Sequence, residues 1–207
     1  MHKYTIPHLS LETIVSYIIV ALLSLIAPIN KFVNYFSLPF TLPETILANF
    51  FISGTFYFWF LYNFLFCKYL WKVKYVKKLL KVPNLNGTWE IKGISNNLKY
   101  QKKFNWKGTL EICQTLKDIS IELVTENSIS KSKSISASLK KNPNNTYTLE
   151  YSYTNSPNNI APKDMRNHEG KCTITFKIDE MSAEGSYFNN NRDRETNGIM
   201  NLKKKEE

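Results

Sequence analysis

The sequence predicts an all-β domain, an antiparallel up-and-down barrel of about eight strands, preceded by two N-terminal transmembrane α-helices. Three observations carry this. Two long apolar runs lie in the first third of the chain, at residues 13–29 and 46–66. A lysine-rich stretch follows the second run directly. From residue 87 onward the hydrophobic pattern has period two and is punctuated by turn residues.

The first run (TIVSYIIVALLSLIAPI) is near the short limit for a membrane span. The second (ILANFFISGTFYFWFLYNFLF) reaches about 31 Å as a helix, enough for a full crossing. The prolines of SLPFTLPE between them suit a tight turn outside the hydrocarbon. A signal peptide is the alternative for the first run, but its n-region offers only His2 and Lys3 and no small-x-small cleavage site follows. Neither core contains an acidic or basic residue, as an ion pathway would require.

Orientation follows from the lysines. Lys68, Lys72, Lys74, Lys77, Lys78 and Lys81 cluster after the second run, whereas the connecting loop has only Lys31. The positive-inside rule places the C-terminal domain in the cytoplasm, and two spans return the N-terminus to the same side. Residues 70–82 alternate apolar and basic positions and read as an interfacial helix continuing the second span, attracted to anionic lipid. The expected division is residues 1–83 for the two spans and the basic juxtamembrane helix, and residues 84–207 for the cytosolic barrel.

Charge and cysteines narrow the function. The net charge is +10, but residues 1–84 hold eight lysines against only Glu12 and Glu44. Much of the basicity is therefore juxtamembrane, which argues against a DNA or RNA polymer as partner. Cys67, Cys113 and Cys172 form no CxxC and leave an odd count, consistent with reduced thiols in a cytosolic compartment.

Candidate strands fall at residues 88–94, 107–115, 119–125, 130–140, 146–154, 171–178, 183–188 and 198–203, separated by turn signals such as NPNN at 142–145. Such a barrel is lipocalin-like, wide enough for packed side chains or one small ligand. Alternation assigns Trp89, Ile91, Leu110, Ile112, Gln114, Ile119, Ile121, Leu123 and Thr125 to the inner face. Leu149, Tyr151, Tyr153, Cys172, Ile174 and Phe176 follow.

The fourth strand is unusual. Ser130, Ser132, Ser134, Ser136 and Ser138 share one face, opposite Lys131, Lys133, Ile135, Ala137 and Leu139. Two lysines on the second face turn the serines inward, at least at the lysine end, giving a polar pocket beside Tyr151, Tyr153 and Gln114. A solvated edge strand with serines outward is the alternative. The Pro/Asn-rich segment 155–170, with Arg166 and His168, is long enough to reach a barrel mouth.

Catalytic signatures are missing. There is no GxGxxG, P-loop, HExxH or GxSxG, the His and Cys have no metal spacing, and NNNRDRE at 189–195 reads as a charged hairpin loop. The expectation is a protein that is not an enzyme, with no cofactor or metal.

The ordered set LNGTW (85–89), WKGTLEICQTLKDISIEL (106–123), Thr125-x-x-Ser128 with the serine alternation, LEYSYTNSP (149–157), NHEG (167–170), EGSYFNNNR (184–192) and NGIM (197–200) resembles a known family. It is the two-transmembrane β-barrel effector class of cyclic-oligonucleotide-based antiphage signalling systems (CBASS). The resemblance implies an antiphage effector at the bacterial inner membrane, multi-pass, with N-terminus and barrel in the cytoplasm. A cognate cyclase would make a cyclic dinucleotide, the barrel would bind it, and homo-oligomerisation would then disrupt the lipid bilayer. Under that reading Trp89, Tyr151, Tyr153 and Tyr187 are candidates to stack on bases. Gln114, Thr125, Ser132, Ser134 and Asn155 are candidates to read edges or phosphates, and His168 and Arg192 to make charge-assisted contacts at the mouth. The competing readings are a membrane-tethered, lipocalin-like small-molecule binder and a protein-recruiting scaffold.

Overall fold

The computed structural model describes residues 1–9, 59–97, 101–126, 130–157, 167–189 and 196–205. The chain divides into two compact units, Met1–Pro7 with Trp71–Glu207, and His8–Leu70.

The first unit is a closed barrel of nine strands: β1 (His2–Thr5), β2 (Gly87–Asn97), β3 (Lys102–Gln114), β4 (Asp118–Thr125), β5 (Ser130–Lys141), β6 (Tyr147–Pro157), β7 (His168–Lys177), β8 (Ser182–Asn189) and β9 (Thr196–Lys204). The eight strands expected from sequence form an antiparallel meander, closed by pairing of β2 with β9. β1 is the difference. It lies between β4 and β5, antiparallel to the first and parallel to the second.

Period two explains why the meander closes. Trp89, Ile91, Leu110, Ile112, Ile119, Ile121, Leu149, Ile174 and Phe176 are all at most 2% exposed, so one face of each strand is removed from water. Three tight connections close one end. Thr115 Oγ1 accepts the Asp118 N–H at 2.9 Å between β3 and β4. Asn145, at φ 61°, turns the chain between β5 and β6, and Met181, at φ 48°, does so between β7 and β8. The connections 98–100, 127–129, 158–166 and 190–195 join strands at the opposite end, and they lie outside the described residues. β2 begins and β1 finishes at the closed end.

β5 settles the serine question through a bulge. Its register with β6 shifts between Ser134 and Ser136. Before the shift, Ser132 and Ser134 pair with Asn155 and Tyr153 on the inner face. After it, Ala137 and Leu139 pair with Tyr151 and Leu149. The extra residue reverses which side chains face inward, so Ser136 is exposed and Leu139 is fully buried. Lys131 and Lys133 lie outside, ion-paired with Glu122. The inward serine row expected from sequence therefore holds at the lysine end and stops at the bulge.

Ahead of β2, helix α1 (Lys74–Leu80) is short, and Val73 before it is extended (φ −62°, ψ 136°). This corrects the expectation of a helix running unbroken from the second apolar run through residues 70–82. In the second unit, residues 59–60 are helical and Leu61–Phe66 is π-helical, with Cys67 N–H bonded to the Tyr62 carbonyl at 2.9 Å. Among the described residues no helix is long and apolar enough to cross a membrane. The first apolar run and most of the second lie outside them.

Candidate functional site

The two ends of the barrel interior differ. Toward the closed end the lumen is filled: Trp89 packs edge-on to Phe176 at 4.9 Å between ring centroids, and its Nε1 donates to the Leu85 carbonyl at 3.0 Å. Gln114 is 2% exposed and fully used. Its Oε1 accepts the Leu85 N–H at 2.9 Å and its Nε2 donates to the Tyr4 hydroxyl at 3.0 Å.

Toward the mouth the lumen opens into a cavity of ≈ 330 Å³, within the size range of small-molecule sites. Its walls are Phe104, Trp106, Tyr151, Tyr153 and Tyr187, with Ile121, Leu123, Cys172 and Met200. Ser95, Asn97, Thr125, Ser132, Asn155, His168, Asn189 and Thr196 interleave as polar positions. Among the described residues the lining contains no Lys, Arg, Asp or Glu.

Glycines keep the aromatic rings against the wall. A Cβ on Gly93 would overlap the Trp106 indole, one on Gly170 would overlap the Tyr153 phenol, and one on Gly198 would overlap the Tyr187 ring. Each ring lies on a cross-strand or neighbouring position with no side chain, so it does not cross the lumen. Trp106 and Tyr187 meet edge-to-face at 5.9 Å, and Tyr151 and Tyr153 tilt together at 6.2 Å.

The site's acids stay neutral. Burial raises the Tyr151, Tyr153 and Tyr187 phenols above their ordinary value of 10. Burial likewise pushes the Cys172 thiol up to about 12. These groups offer neutral donors and apolar contact, not a nucleophile.

Two cavity-lining residues hold unused hydrogen-bonding capacity. Among the described residues, the buried side-chain atoms with no partner of hydrogen-bond geometry are Trp71 Nε1, Trp106 Nε1 and Asn155 Oδ1, and the last two belong to the cavity wall. The Tyr187 hydroxyl is near enough to the Trp106 indole to feel its N–H, but without the geometry of a bond. Asn155 Nδ2 contacts His168 Nε2 at 3.4 Å, leaving the amide oxygen free. Buried polar groups without partners are rare, and two in one cavity mark places where a ligand can supply them.

Of the residues named from sequence, Thr125, Ser132, Tyr151, Tyr153, Asn155, His168 and Tyr187 are brought together in this cavity. Trp89, Gln114 and Ser134 are not in its lining. The first two pack the closed end, and the Ser134 hydroxyl accepts the Ile121 N–H at 3.0 Å and bonds His2 Nε2 at 2.7 Å. Arg192 lies outside the described residues. Sequence reasoning missed Ser95, Asn97, Phe104 and Trp106 because it ended the first strand at 94 and began the second at 107. The period-two series 89, 91, 93, 95, 97 continues that face without a break.

Residues 80–204 match the family described as "Cap15, cyclic dinucleotide receptor domain". The chain is also similar to the CD-NTase-associated protein 15 of Yersinia aleksiciae, 36% identical over 137 residues. That alignment covers 66% of this chain and 62% of the relative, so the chain spans somewhat less than two thirds of that protein's length. Both matches bear out the resemblance read from the sequence motifs, and the chain belongs to the Cap15 cyclic dinucleotide receptor domain family.

Proposed function

We propose that this protein is a membrane-anchored receptor and effector of antiphage defence, not an enzyme, and that the mouth cavity binds a cyclic dinucleotide made by a cognate cyclase. One observation carries the reading: an aromatic-walled cavity, without Lys, Arg, Asp or Glu among its described lining, that has unused donor and acceptor atoms, in a barrel of this family. Base–aromatic stacking contributes about 1–3 kcal/mol per base in single-strand binders, and Trp106, Tyr151, Tyr153 and Tyr187 supply the faces.

The lining also argues for a pose. A phosphate brings charge that no Lys or Arg of the described lining meets, and it has no donor for the free amide oxygen. A base offers N–H donors that Asn155 Oδ1 accepts once the soft terminal torsion of its amide turns. The bases therefore enter the cavity and the phosphates stay at the mouth. The connections at that end carry Lys163, Arg166, Arg192 and Arg194 in sequence.

The effector half of the reading rests on connectivity. β1 and β2 belong to one barrel, so residues 8–70 leave and return on one side of any bilayer and cross it an even number of times. Two crossings match the two apolar runs, with N-terminus and barrel on the lysine-rich, cytoplasmic side of the inner membrane. Exposed Val73, Tyr75 and Leu79 among lysines suit the headgroup layer, and exposed Trp59, Leu61 and Phe64 suit lipid. Ligand binding then drives homo-oligomerisation and loss of membrane integrity. Full-length protein in dye-loaded liposomes tests this. Leakage is expected only with a cyclic dinucleotide, and leakage independent of ligand, or none at all, counts against it.

A second reading, a scaffold that recruits a protein, draws on the outer wall, where Ile94, Phe188 and Ile199 are exposed on adjacent strands. It predicts no stabilisation by any cyclic dinucleotide, whereas the receptor reading predicts about 2.7 kcal/mol at a hundred times Kd.

A further inference from the structure

Among the described residues of the cavity wall, His168 is the one side chain that can become a cation. It is half-buried and is the cross-strand partner of Asn155. The Asn155 amide nitrogen and His168 Nε2 lie 3.4 Å apart, long for a hydrogen bond, so the pair is loosely held.

The chemistry of this contact has two settings. An amide NH2 can only donate. As the amide stands, Nε2 must therefore be bare to receive it, and the Asn155 oxygen is left without a partner. When Nε2 carries a proton, the two donors oppose each other. The soft terminal torsion of the amide then turns, Oδ1 accepts from Nε2–H, and Nδ2 is what remains for a ligand. A charged imidazolium has a proton on both nitrogens and permits only the second setting.

We propose that His168 is a specificity-determining partner of Asn155: a bare Nε2 leaves the amide oxygen to read an N–H on a base edge, and a protonated Nε2 withdraws that oxygen. The proposal rests on the receptor reading above and assigns His168 an orienting role in place of a charged contact to phosphate. A base that donates to Asn155 favours the bare ring, so its binding expels a proton wherever the free protein holds an imidazolium.

The neighbouring groups leave this dependence to the pair. The other titratable groups of the wall are Tyr151 and Tyr153 on β6, Cys172 on β7 and Tyr187 on β8. Burial raises all four, so they keep their protons through the range in which imidazoles titrate, about pH 5–8. Glu169, next on β7, is exposed and pairs with Thr154. In sequence, the connection 158–166 carries Lys163, Asp164 and Arg166, and 190–195 carries Arg192, Asp193, Arg194 and Glu195.

The test is calorimetric titration of full-length protein in detergent, from about pH 5.5 to 8, in two buffers of different ionisation enthalpy. The probes are cyclic di-AMP, cyclic di-GMP and cyclic GMP–AMP. Wild type should bind tightest at pH 8, weaken several-fold toward pH 5.5 with a slope of at most about tenfold per pH unit, and release protons on binding at the acid end. His168→Gln places an amide near the Nε2 position with no proton to gain. Asn155→Leu keeps the ring and removes the amide. Each variant, compared with its own affinity at pH 8, should lose the acid-side fall and the proton release. Tighter binding on acidification that His168→Gln abolishes would make the ring a phosphate contact and overturn the proposal. A flat wild-type profile, or a fall that persists in both variants, would also overturn it, and each of these results leaves the receptor reading standing. No binding of any probe at any pH would overturn the receptor reading, and the proposal with it.

Discussion

The two ends of this barrel are built from the same strands by the same alternation, yet one is solid and the other hollow. At the closed end Trp89, Leu110, Ile112 and Phe176 fill the lumen, and the polar groups of Trp89 and Gln114 have partners. At the mouth the rings are as large, but Gly93, Gly170 and Gly198 let them lie along the wall. There Asn155 and Trp106 retain atoms without partners. A bulge in β5 separates the regimes, with serines inward on the mouth side and Ala137 and Leu139 inward on the other. The lesson is that interior aromatics do not by themselves mean core. What decides is whether the position opposite carries a side chain.

The comparison can be broken most forcefully at the closed end. Trp89→Ala should cost about 3–5 kcal/mol of stability, read as a lower denaturant midpoint, while the protein that remains folded keeps its ligand affinity. An affinity loss beyond the unfolded fraction would place Trp89 in the site after all. Gly170→Ala inverts the pattern. Pushing the Tyr153 ring into the lumen should cost about 1–3 kcal/mol in stability and lower affinity by more than that loss explains. Unchanged affinity would show that the cavity does not depend on its glycine seats.

Asn155→Leu sharpens the contrast. An orphaned buried acceptor costs about 1–3 kcal/mol, so its removal should leave the unliganded protein as stable as before or more so. Cyclic dinucleotide affinity should fall about tenfold, near 1.4 kcal/mol. A purely structural Asn155 would instead lower stability and spare binding.

The last effect is alkaline and shows only outside the physiological range. The Cys172 thiol moves from an ordinary 9.0 to about 12 on burial. An unfolded chain therefore releases that proton first, and stability is full below pH 9 and falls as pH rises toward 12. The slope is at most about 1.4 kcal/mol per pH unit for this group. Melting temperatures across that window should fall less steeply in Cys172→Ala, and identical slopes would count against a buried neutral thiol.

Much of the barrel was legible because eight strands write their burial in a period of two and their ends in Asn, Asp, Gly and Pro. Tyr151, Tyr153 and Asn155 continue that face and were found. Ser95, Asn97, Phe104 and Trp106 were not, because polar residues on an inner face look like a loop until a cavity accounts for them. The bulge at Ile135 was half legible, since two lysines fixed one end of the strand and nothing local marks the reversal. β1 was illegible. Its four residues, His2–Thr5, have no turn signals, and their partners lie more than a hundred positions away. Gln114 and Trp89 were misplaced because an inner-face amide suggested an edge-reading contact and an inner-face ring a stacking one, whereas their actual partners are Leu85, just ahead of β2, and Tyr4 of β1.

The central claim is that the hollow end is a receptor for a cyclic dinucleotide. Calorimetric titration of the full-length protein in detergent, with wild type and Gly170→Ala side by side against the same cyclic dinucleotides, tests it most directly. The account predicts saturable heat with one ligand per barrel in the wild type and a much weakened isotherm in the variant. No heat and no melting shift in the wild type with any of them, or equal binding by both proteins, would contradict it.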